Sequence, residues 1–112
     1  MTTHAETTTK IYACSFDELE DGENLRLDAA GGIALYRVDG EYFATSDSCT
    51  HEEWSLGEEG ELEGHEILCT LHMARFDVRD GAPLCFPAMV GLKKFETVVE
   101  GDDVYVLVDK QS

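Results

Sequence analysis

The chain has 112 residues, enough for one domain with a modest hydrophobic core. Its 43% hydrophobic and 9% aromatic content argues against a wholly disordered acidic chain. A formal net charge of −16, from 24 acidic and 8 basic residues, opposes binding to nucleic-acid phosphates or to an anionic membrane surface. The same charge suits a basic protein partner drawn in by electrostatic steering.

Residues 1–9 are polar and threonine-rich, and read as a flexible N-terminal tail without the apolar stretch of a secretory signal. No run is long and apolar enough to cross a membrane, so a cytoplasmic protein is expected. Lys10 to Cys14 alternates weakly and predicts a first strand. Ser15 and Glu18 match the S-x-x-E capping box and predict one short helical turn over Phe16 to Leu19. Glu23 to Leu27 predicts a second strand. Gly32 to Val38 and Glu41 to Thr45 are apolar runs flanking Asp39-Gly40, a strong hairpin signal. Residues 46–61 are rich in Ser, Glu and Gly and predict irregular chain. Leu62 to Leu68 reads as a broken strand, and Arg75 to Val78 as a short one before an Asp80-Gly81 turn. Pro83 to Met89 predicts a loop, because proline limits strand pairing. Leu92 to Val99 and Val104 to Val108 predict a closing hairpin, with Val98, Val99, Val104, Val106 and Val108 as core candidates. Many short strands with regular turns and no sustained helical period indicate an all-β sandwich or small barrel. No repeat or linker divides it.

Two mixed pairs carry the chemistry. Cys49-Thr50-His51 is followed, after 17 residues, by Cys69-Thr70-Leu71-His72. Each pair offers one thiolate and one imidazole. Four such ligands could hold one zinc ion tetrahedrally. They could instead hold a two-iron cluster, with both cysteines on one iron and both histidines on the other. In the usual zinc finger two cysteines come first and two histidines second, so the mixed order favours the cluster. A zinc protein would be colourless and a cluster protein red-brown. Cys14 and Cys85 have no histidine neighbour and are expected not to ligate. Cys14 is expected to be a buried thiol.

These motifs resemble the Rieske ferredoxins, above all the small ferredoxin components of bacterial aromatic-ring-hydroxylating dioxygenase systems. The likeness rests on C-T-H-E-E-W-S-L and C-T-L-H-M-A-R-F, and continues through G-E-L-E-G-H-E-I-L, P-A-M-V-G-L-K-K-F and V-V-E-G-D-D-V-Y-V. It implies a single Rieske [2Fe–2S] domain over residues 10–110: an antiparallel β-sandwich or small barrels with a cluster-binding subdomain at the tip. It implies one [2Fe–2S] cluster, with Cys49 and Cys69 on the inner iron, and His51 and His72 on the outer iron through Nδ1. Pro83 to Met89 matches the family's covering loop, with Pro87 as its lid residue. The implied role is that of an electron carrier, not an enzyme. It would be a monomer that makes transient complexes with an NAD(P)H-dependent reductase and a terminal oxygenase. Trp54 would shape the contact with these partners or pack the ligand loop. A small Rieske subunit of a nitrite reductase or other oxidoreductase complex is the alternative.

Departures from the high-potential Rieske proteins bear on the redox potential. Trp54 and Leu71 stand where those proteins carry an extra disulfide, and Ala74 and Phe76 where they carry serine and tyrosine hydroxyls. Fewer hydrogen bonds to sulfur, with Glu52, Glu53, Glu58, Glu59, Glu61, Glu63 and Glu66 close in sequence, disfavour an added electron. A potential of about −150 mV is expected. Met73 stands where many members have glycine, which bears on the choice of partner.

Overall fold

The computed structural model describes residues 8–28, 32–47, 55–70, 74–84 and 91–109. Cys49, His51, Trp54, Leu71, His72, Met73, Cys85 and Pro87 lie outside the described residues.

Among the described residues the strands pair antiparallel and form two sheets. The larger is a curled six-stranded sheet in the order β1-β9-β8-β4-β3-β2. Its strands are β1 (Thr8–Ser15), β2 (Asn24–Leu27), β3 (Ile33–Val38), β4 (Glu41–Ser46), β8 (Lys94–Glu100) and β9 (Asp103–Asp109). The smaller sheet is β5 (Glu61–Glu63), β6 (Glu66–Cys69) and β7 (Ala74–Asp77), in that order. A short helix, α1 (Leu56–Glu59), precedes it. This is the all-β fold expected, with the small sheet as the subdomain.

Strand β3 explains how the two sheets share one molecule. Its sequence I-A-L-Y-R-V is apolar on both faces, as a strand buried on both sides should be. Ile33 and Leu35 enter a core with Cys14, Leu19, Tyr42, Ala44, Phe95, Val104, Val106 and Val108. Ala34 and Tyr36 enter a second core with Leu56, Ile67, Cys69, Ala74, Phe76, Val78 and Leu92. The Tyr36 hydroxyl and Thr45 Oγ1 are 2.9 Å apart, so neither buried oxygen is left unpaired. Burial pushes the Tyr36 phenol pKa well up, and the group stays neutral.

The β3–β4 hairpin closes as expected, through Asp39 and Gly40 at φ values of 52° and 81°. Both are positive, as a two-residue type I′ turn requires. Four expectations need correction. Phe16 to Leu19 forms a turn and no helix, although the Ser15 N–H does donate to Glu18 Oε1 at 2.6 Å. Residues 46–61 are not wholly irregular: Ser55 accepts from the Glu58 N–H at 3.1 Å and starts α1. That second S-x-x-E was visible in Ser55-Leu56-Gly57-Glu58. The broken strand is a tight hairpin, β5–β6, turning at Gly64 and His65 with Gly64 at φ 58°. Val99 is 45% exposed and outside the core. Pairing of β8 with β4 is confined to Lys94 and Phe95, so the far end of β8 pairs with β9 alone.

Two glycines separate backbone strain from contact. Gly81 has φ 81°, and a Cβ there would lie 2.2 Å from the Leu92 carbonyl oxygen. Gly40 has the same φ with nothing within 4 Å. Urea unfolding should show Gly40→Ala costing about 1 kcal/mol from the left-handed backbone alone. Gly81→Ala should cost about 3 kcal/mol or more, because the backbone must also move. Equal losses would mean that the Gly81–Leu92 approach relaxes freely.

Candidate metal centre

Cys69 is the one expected ligand among the described residues. It ends β6, is fully buried, and has no disulfide. Its cross-strand partner is Ala74, the first residue of β7. The four residues between them, 70–73, include His72. Cys49, His51 and His72 are not themselves placed, but the chain ends that carry them are.

Those ends are tied in a ring. The first loop, 48–54, leaves from Asp47 and returns at Ser55, and the Leu56 N–H donates to the Asp47 carbonyl at 2.8 Å. On its return it enters α1, whose Glu59 carbonyl accepts from the Thr70 hydroxyl at 3.0 Å, at the start of the second loop. The second loop exits into β7, where the Arg75 carbonyl accepts from the Leu84 N–H at 2.8 Å, at the start of the third loop, 85–90. The third loop exits at Gly91, and the Lys93 carbonyl accepts from the Ser46 N–H at 2.8 Å, back beside the first. Lys93 N–H donates to Ser46 Oγ at 3.2 Å to close the circuit. The residues that flank the three segments therefore lie together, among the small sheet, α1 and the adjoining ends of β4 and β8.

The chemistry at that end fits a metal cluster held in part by sulfur. The Cys69 thiol is a soft donor shielded from water within the second core. Beside it, Ala74 and Phe76 are buried and bring no hydroxyl. Pro83 bridges Phe76 at the mouth of the third loop. Glu58, Glu59, Glu61, Glu63 and Glu66 line α1, β5 and β6, and their residues are exposed. Arg75 meets only Glu63 and Glu66 among them, at 3.1 and 3.3 Å. At the turn after β7, hydrogen bonds from the Arg79 side chain hold the Asp77 carboxyl below the usual range.

Cys14 lies elsewhere. It sits in β1 near Ser15, whereas the loop stems lie at the Ser46 end of β4. A bulge between Tyr12 and Cys14 turns its side chain into the first core, leaving Tyr12 52% exposed. Burial, and then the nearby Glu18 charge, push the Cys14 thiol pKa up. The raised pKa keeps this thiol protonated at neutral pH.

The fold defines a small antiparallel β-protein in which the residues flanking segments 48–54, 70–73 and 85–90 are tied to one another beside a buried cysteine. Residues 9–96 match the Rieske [2Fe–2S] domain. The chain belongs to that family, whose domain holds one [2Fe–2S] cluster. It is 47% identical over 95 residues to a biphenyl dioxygenase ferredoxin subunit of Pseudomonas sp. strain KKS102, covering 84% of this chain and 87% of that protein. Among solved structures, the ferredoxin of carbazole 1,9a-dioxygenase from Nocardioides aromaticivorans IC177 superposes with a TM-score of 0.82 at 31% identity, over 88% of this chain and 96% of that one. A putative NADH-dependent nitrite reductase small subunit from Mycobacterium tuberculosis shares the fold, with a TM-score of 0.77 at 20% identity over 90% and 96% of the two chains.

Proposed function

We propose that this chain is a one-electron carrier that accepts electrons from an NAD(P)H-dependent reductase and delivers them to a terminal aromatic-ring-hydroxylating oxygenase. Residues 10–110 act as one domain, and the protein works as a cytoplasmic monomer in transient complexes. The ring of hydrogen bonds that gathers three loop stems around Cys69 carries this reading. Likeness to ferredoxins of two dioxygenase systems supports it. Likeness to the nitrite reductase subunit is at the level of fold and gives that alternative no comparable support.

Cys49 and Cys69 would hold the inner iron, and His51 and His72 the outer one. When bound, the cluster supplies reversible one-electron chemistry at the loop end of the molecule. The chain's own part is to shield the Cys69 side, to present the histidine side to a partner, and to set the local field. With 24 acidic and 8 basic residues, 16 carboxylates have no basic side chain of this chain to neutralise them one for one. A basic docking face on each partner follows, with association slowing as salt rises. The acidic α1–β5–β6 surface and the absence of hydroxyls at Ala74 and Phe76 both favour the oxidised cluster.

Dithionite-reduced protein should give a rhombic electron paramagnetic resonance signal with the low average g of histidine-ligated [2Fe–2S], together with matching iron and sulfide contents. Redox titration should place the midpoint at about −150 mV. Colourless protein with one zinc ion and no iron would end the carrier reading. A midpoint above about +100 mV would end the account of its tuning.

A further inference from the structure

We infer that Asp47 is a positioning residue for the first ligand loop: it clamps both ends of residues 48–54 to strand β2 and so fixes Cys49 and His51 relative to Cys69. The inference rests on the ligand assignment proposed above. Asp47 is 4% exposed, and every polar group it has is used. Its N–H donates to the Gly32 carbonyl at 3.1 Å, and its carbonyl accepts from Leu56 N–H at 2.8 Å. Its carboxylate reaches α1: Oδ1 accepts from the Gly57 N–H at 2.7 Å. Oδ2 faces Arg26 Nε at 3.3 Å. One residue at the loop's entry thus holds the first turn of α1, its exit, in two places.

The surface beneath is shaped for that clamp. A Cβ on Gly57 would lie 2.7 Å from the Arg26 backbone, so α1 rests directly on β2. Asn24 secures the carbonyl side of the same turn, its amide donating to Leu56, Gly57 and Gly60 oxygens at 2.8, 3.2 and 3.2 Å. Asp47 and Asn24 hold α1 from its donor and acceptor sides, and α1 in turn accepts from Thr70 at the foot of the second ligand loop.

The plainer account makes Asp47 a counter-charge for Arg26. Arg26 is 37% exposed and also meets Asp28 at 3.2 Å, so water and that carboxylate already satisfy it. A carboxylate 5% exposed is costly to bury for such a small return. The charge-assisted bond to a buried backbone amide accounts for its placement.

The test compares wild type, Asp47→Ala, Asp47→Asn and Val106→Ala as holoproteins. Val106 is fully buried in the first core, and its variant controls for loss of stability alone. Two readouts serve: the g values of the reduced protein, and the rate at which a chelator removes iron. Asp47→Ala should shift the g values and lose iron about 10-fold faster than wild type, the low end of what loss of an outer-shell partner costs. Asp47→Asn keeps an oxygen for the Gly57 amide and should fall between the two. Val106→Ala should keep the wild-type spectrum. A wild-type spectrum in Asp47→Ala, with iron loss no faster than in Val106→Ala, overturns the inference. If Asp47→Ala does not fold, Asp47→Asn decides: about 3-fold faster loss than Val106→Ala with shifted g values supports the clamp. Equal rates and spectra refute it. Wild type without any iron–sulfur signal instead removes the ligand assignment, and the inference with it.

Discussion

Cys69→Ser is expected to yield protein without iron, sulfide or red-brown colour, while Cys14→Ser keeps all three. The two thiols are alike in burial, at 0% and 2% exposure, so burial does not separate them. Their surroundings do. Cys69 sits at the foot of a loop beginning with Thr70, among three tied loop stems. Cys14 is sealed between sheet residues in the other core, and burial keeps its proton on. An alkoxide is a poor replacement for a soft thiolate on iron, so the change at Cys69 should cost the cluster outright. Iron and sulfide assays with far-ultraviolet circular dichroism would show whether the fold outlasts the cluster. Iron retained in Cys69→Ser but lost in Cys14→Ser would reverse the ligand assignment.

Phe76→Ala should be the most destabilising core change, at about 3–5 kcal/mol. Phe76 is fully buried and lies opposite Ile67 in the small sheet. Its ring belongs to the core that joins this sheet to Ala34 and Tyr36 of β3. A domain of this size has total stability of about 5–15 kcal/mol, so the loss would consume much of it. The damage should centre on the cluster end, because β6 and β7 carry the second loop and the entry to the third. Urea titration gives the free energy, and iron content measured along the same titration reports whether the small sheet opens first. A loss below about 1 kcal/mol would mean that the small sheet is held by its loops and not by this core.

Much of this was legible in the chain. Asp39-Gly40 needs left-handed backbone at two successive residues, which only a short list of residue types tolerates, so the hairpin could be read directly. The paired Cys/His motifs announced a metal centre because those side chains have few other reasons to recur at such spacing. Of that ligand set the described residues include Cys69 alone, and all four assignments belong to the reading proposed above. The segment before the small sheet was harder. Ser55-Leu56-Gly57-Glu58 carries a capping box, but one helical turn has no hydrophobic period to distinguish it from loop.

The sequence by itself indicated most of the strands and which residue types could bind iron, because turn chemistry and donor chemistry are local properties. Tertiary structure alone decided what depends on distant chain segments. Tyr12 and Cys14 have the same parity along β1, yet a bulge leaves one exposed and buries the other. Val99 looked like core until β8 was seen to outrun its pairing with β4. Asp47 reads as one acidic residue among 24 until folding sets it against the Gly57 amide and the Arg26 side chain. A buried hydrogen bond is defined by where its partner lies in space, and a separation of ten positions along the chain gives no local sign of it.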